Sequence, residues 1–180
     1  MRLATLAAVL VSGLLSSGCL VVGLHPFYDA GSIEFDEALI GEWENVEEAG
    51  AVRIGRGPWR SYRIDYTSGA ETGSHDGYLS RLGSIRLLDL VRRPAIEGAI
   101  RVHVPVRVQL LGDVLLLAPL DYDWFSREAE HGQPSALQPT IDDEGNILLS
   151  APTAAVRAWL AAHAAERFGD PVRFTRKPAR

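Results

Sequence analysis

The stretch "RVHVPVRVQL", residues 101–110, alternates along its length: Val102, Val104, Val106, Val108 and Leu110 fall on one side of an extended chain, and Arg101, His103, Arg107 and Gln109 on the other. A period of two is the mark of a strand buried on one face. Pro105 has no N–H to give to a ladder, so it predicts a bulge or a free edge within that strand. The next residues, "LLGDVLLLAPL", turn at Gly112–Asp113 and return as a second strand, which makes a hairpin.

Working outward, the same grammar recurs. "ALIGEWENVEEAGAVRIG" gives two short strands around an acidic, glycine-containing turn, and "SIRLLDLV" gives one more. "RSYRIDYTSGAETGSHDGYLSRLG" gives two strands joined by a polar loop at 68–76, with Tyr62, Ile64 and Tyr66 on one face of the first. After Leu120 the pattern changes. "DYDWFSREAEHG" predicts a short helix capped by Asp121 or Asp123, "GQPSALQP" a loop, and "GNILLSA" a strand behind the turn "IDDEGN". "PTAAVRAWLAAHAAERFG" predicts a helix with Pro152 in its first turn, an apolar stripe of Val156, Trp159, Leu160, His163 and Ala164, and Gly169 at its end. "PVRFTRK" is a last short strand. Eight or nine evenly spaced, mostly antiparallel strands with one long late helix predict a barrel or sandwich.

The N-terminus is of a different kind. Behind Met1 and Arg2, residues 3–15 carry no charge, a run too short for a membrane-spanning helix but suited to the core of a secretory signal. Ser16, Ser17 and Gly18 then lead to Cys19, the one cysteine of the chain, so an internal disulfide is excluded. This resembles the lipobox of bacterial lipoproteins, whose cysteine is acylated and becomes the new N-terminus. The resemblance implies a signal peptide over 1–18, lipidation at Cys19 and attachment to a membrane. Leu20 in place of an aspartate implies the outer membrane, facing the periplasm. Residues 19–36 read as a lipidated tether that docks on the domain, because Phe27, Tyr28, Ile33 and Phe35 are too apolar for a free linker. Residues 37–180 then form the folded domain.

Composition narrows the function classes. Arg2 is the only charge before Cys19, so its removal takes the formal charge from −5 to −6. An acidic domain of this size has no electrostatic reason to bind nucleic acid.

"FDEALIGEWE" carries Gly41–Glu42–Trp43, which resembles the Gly-x-Trp signature on the first strand of lipocalins. Together with the lipobox, "HPFYD", "LLDL", "PSAL" and the terminal helix and strand, it resembles bacterial lipoproteins of lipocalin-like type. That resemblance implies an antiparallel lipocalin-like (calycin) β-barrel of about eight strands with a C-terminal helix. It also implies that Trp43 plugs one end and stacks on an arginine of a late strand, Arg173 or Arg176. It brings no activity with it.

The candidate ligand-binding residues are Trp43, Tyr62, Tyr66, Asp89 and His103. The three aromatics would line a cavity. Asp89 shares the parity of Ile85 and Leu87 and is either turned inward or a strand-end carboxylate facing water. His103 shares its face with Arg101 and Arg107, a wet face if the valines fill the barrel and a head-group site if they do not. His25 reads as a turn residue, His75 as a solvated loop residue and His163 as a border residue of the helix. No metal-ligand spacing, nucleophile elbow or phosphate loop occurs, so no enzyme, metal or cofactor is expected. Two readings lead: a membrane-tethered barrel that binds a small hydrophobic molecule, or a structural lipoprotein with a filled barrel and an apolar patch around Phe27, Trp124 and Phe125 for an envelope protein.

Overall fold

A computed structural model of the chain describes residues 19–45, 49–93, 98–163 and 166–178; the expected signal segment and Ala164 lie outside them. Twelve strands run β1 (Val21–Gly23), β2 (Ile33–Glu34), β3 (Gly41–Asn45), β4 (Gly50–Arg56), β5 (Tyr62–Ser68), β6 (Glu71–Leu82), β7 (Ile85–Arg93), β8 (Val104–Leu111), β9 (Val114–Pro119), β10 (Pro139–Ile141), β11 (Ile147–Leu149) and β12 (Val172–Arg176). Helices α1 (Tyr122–Ala129) and α2 (Thr153–His163) fall between β9 and β12.

Strands β3 to β9 pair successively in an antiparallel meander, β12 returns to fill the gap between β3 and β9, and β6 pairs with β7. The result is a closed eight-stranded antiparallel barrel, with β2 added as an extra strand on β6. Closure removes the free edges that an open sheet would expose. Three of the hairpins turn in two residues with Gly69, Gly83 and Gly112 at positive φ, which matches the twist of the flanking strands.

The alternation read in residues 101–110 now has two destinations. Val104, Val106 and Val108 point into the barrel, where they pack with Trp43, Val52, Ile54, Tyr62, Ile64, Leu79, Leu88, Leu115 and Phe174. The opposite parity of β7 points outward, and Leu87 there joins a second core with Phe27, Phe125, Leu137, Ile147, Leu149, Val156 and Leu160. Pro105 lies within the β7–β8 ladder, opposite Asp89, but on its β9 side the ladder begins only at Val106, so that side of the residue is the free edge expected.

The second core is a layer that the sequence reading did not anticipate. β1, β11 and β10 form a small separate sheet in which the N-terminal strand β1 runs parallel to β11. Asp121 caps α1 by accepting from the Trp124 N–H, and Val156 and Leu160 are the buried stripe of α2.

Two expectations are corrected. The polar loop at 68–76 is a two-residue turn followed by strand β6, which starts at Glu71. Its glycines are there for packing: a Cβ on Gly73 would strike the Tyr66 ring, and one on Gly77 would sit 2.6 Å from Ile64 Cδ1. The apolar patch around Phe27, Trp124 and Phe125 does not exist as a surface. Phe27 and Phe125 are buried, and Trp124 is partly buried against Phe125 and Trp159.

Candidate functional site

One end of the barrel is sealed. Trp43 is 0% exposed and donates its indole N–H to the Leu39 carbonyl at 3.0 Å. The guanidinium of Arg176, on β12, lies 4.1 Å from the Trp43 ring centroid and donates to the carbonyls of Ile40 (2.8 Å) and Ala38 (2.6 Å). Arg176 is therefore the late-strand arginine, and Arg173 faces solvent. Gly41 is required twice over: its φ is +153°, and a Cβ there would stand 2.5 Å from Arg176 Nη1. Tyr62 extends the seal, stacking on Phe35 and hydrogen bonding to the Asp36 N–H at 2.6 Å. Trp43 and Tyr62, two of the expected ligand contacts, are thus parts of a plug.

The other end is open. At the level where β4, β5, β7, β8, β9 and β12 reach it, Val52, Tyr66, Leu90, Val106, Leu117 and Phe174 surround a cavity of about 40 Å³. That holds about three water-sized groups, against roughly 300–1,000 Å³ for a pocket that encloses a drug-sized ligand. Tyr66 is the one expected aromatic that lines it. On β6, His75 faces the same interior and lies across from Ile64 and Arg92. His75 is 6% exposed, its Nδ1 has no partner among the described residues, and its ring is 5.8 Å from that of Tyr66. Burial, followed by the nearby Arg92 charge, pushes its pKa down to about 4. The solvated loop histidine of the sequence reading is in fact a neutral, buried one.

Asp89 and His103 meet, but outside the barrel. Asp89 has the outward parity of β7, His103 lies just before β8 with the same outward parity, and the N-terminal segment covers both. Asp89 is 0% exposed, and its carboxylate accepts from the Phe27 N–H at 2.9 Å and lies 3.0 Å from His103 Nδ1. Gly23 and His103 exchange two backbone hydrogen bonds, of 2.8 and 2.9 Å. Burial pushes the Asp89 carboxyl up, while His103 and the Phe27 N–H pull it back. This pair is a latch. With Arg157, which donates to the Phe27 carbonyl at 2.7 Å, and Thr153, which donates to that of Pro26 at 2.8 Å, it fixes the N-terminal segment between barrel wall and α2. The sequence left Asp89 between lumen and water and His103 between wet face and lumen; both instead lie under a second layer.

Cys19 is exposed and free. It stands at the edge of a cleft of about 580 Å³ that includes Val104, Pro119 and Val172, the residues of β8, β9 and β12 at the open end. Cys19 and the open end of the barrel therefore share one end of the molecule. Comparison with protein-family models, with curated proteins and with solved structures returned no match.

Proposed function

We propose that this chain is an envelope lipoprotein, anchored through Cys19 to the periplasmic face of the outer membrane, whose barrel takes a small hydrophobic ligand at its mouth. The observation that carries the reading is the apolar cavity at the one end that Trp43 and Arg176 do not seal. Its size limits the occupant to the tip of a chain or a very small apolar molecule, not a ligand enclosed along the barrel axis. The position of Cys19 supports the same reading, since acyl chains attached there would hold the mouth toward the bilayer. Ile100 and Val102, exposed in the β7–β8 connection at that end, would face the same surface.

The test is a fluorescence titration of the mature protein with fatty acids of increasing length and with a hydrophobic dye. Saturable one-to-one binding that is lost in Val106→Trp, which fills the cavity, supports the reading. Absence of binding across the panel overturns it.

A second reading has its own observation: Trp43, Tyr62, Leu79 and Leu115 are fully buried and leave most of the lumen packed. A filled barrel suits a structural or assembly role with an envelope protein, and failure of every ligand in the titration would favour it.

A further inference from the structure

We infer that the mouth recognises an amphiphile with a carboxylate head, with Arg92 and His75 as its head-group residues; the inference rests on the proposed ligand site and specifies what that site selects. Arg92 follows the cavity-lining Leu90 by two residues on β7, so it shares the inward parity and sits at the rim, where it is exposed. It is also directly across the ladder from His75.

The neighbouring arginines of β7 are spoken for. Arg86 pairs with Asp36 at 2.7 Å and Arg93 with Asp76 at 2.6 Å. Among the described residues Arg92 makes no ion pair. His75 beside it leaves a buried ring nitrogen without a hydrogen bond, and native proteins seldom leave such atoms unsatisfied. A neutral imidazole has one donor and one acceptor nitrogen, and Arg92 supplies a fixed positive charge in a planar fork that matches a carboxylate. Neither side chain lines the cavity itself; Tyr66, which does, has its ring 5.8 Å from that of His75, and Val52, Leu90, Val106, Leu117 and Phe174 around it suit the tail. Glu71, exposed on the same parity of β6 at the outer lip, repels an anion there. The head group is therefore confined to the β7 side, against Arg92.

The experiment compares decanoate with decanol, which has the same tail without the charge, by calorimetric titration of the mature protein and of Arg92→Gln. Arg92 is exposed, so the variant keeps the fold. The expected result is that decanoate binds more tightly than decanol and loses about tenfold in Arg92→Gln, the worth of one charge-assisted hydrogen bond, while decanol is unaffected. The imidazole resonances of His75 should move with decanoate and not with decanol. Equal binding of acid and alcohol, unchanged in Arg92→Gln, overturns the head-group assignment and leaves the ligand site standing. Binding of neither overturns both.

Discussion

The two ends of the barrel are made from the same strands with the same alternation, yet they differ in how their polar groups are satisfied. At the sealed end the plug residues are each held: the Trp43 indole on Leu39, the Arg176 guanidinium on two carbonyls and on Asp113, Tyr62 on Asp36, although Arg86 Nε beside Asp36 has no hydrogen bond among the described residues. At the mouth, among the described residues, a His75 ring nitrogen has no hydrogen bond and Arg92 no ion pair, beside an apolar hollow. Under the proposed function, the open groups at the second end are where a ligand's polar head would be held.

The largest expected effect lies at the sealed end. Trp43→Ala empties the plug and strands Arg176, and should cost about 3 to 5 kcal/mol in chemical denaturation, as other large-to-small aromatic changes do. A loss below about 1 kcal/mol would mean that the plug does not support the barrel.

His75 should give the mouth a pH signature. Its folded pKa, about 4, lies below the ordinary value of 6.5. The unfolded chain therefore binds the extra proton first, and the stability associated with neutral burial is full above pH 6.5 and lost as pH falls toward 4. The loss is on the order of 3 kcal/mol at the acid limit. His75→Leu should flatten this part of the stability profile, and an unchanged profile would show that the ring is not buried as described.

The latch should have an intermediate effect. Asp89→Ala leaves the Phe27 N–H and His103 Nδ1 without their acceptor, a cost of roughly 1 to 3 kcal/mol. Limited proteolysis should then cut the segment before Phe27 sooner while the barrel stays resistant. Equal resistance in variant and parent would mean that the pair does not hold the N-terminal segment. Arg92→Gln, at an exposed position with no ion pair among the described residues, should change stability by no more than about 0.5 kcal/mol.

What the sequence made legible was the barrel itself. The valines of β8, the Tyr62–Tyr66 face and Gly41–Trp43 all report on one core, and strand parity reads one core well. Parity assigns a residue to a face, however, and cannot tell what covers that face. Asp89 and His103 had the correct parity, but the layer above them is assembled from the N-terminal segment and from β10, β11 and α2, far apart in the chain. His75 was hidden for a different reason. Gly73 and Gly77 lend its strand the composition of a loop, although both glycines make room for side chains across the ladder. The hollow at the mouth was not legible at all, because it depends on how the inward side chains of six strands divide the lumen.

The most direct measurement of the contrast between the ends is methyl and indole NMR of the mature protein during titration with decanoate. Shifts confined to the methyl groups of Val52, Leu90, Val106 and Leu117, with the Trp43 indole N–H unmoved, are the expected result for a barrel sealed at one end and receptive at the other. Saturating decanoate that leaves those methyl groups unmoved would contradict it.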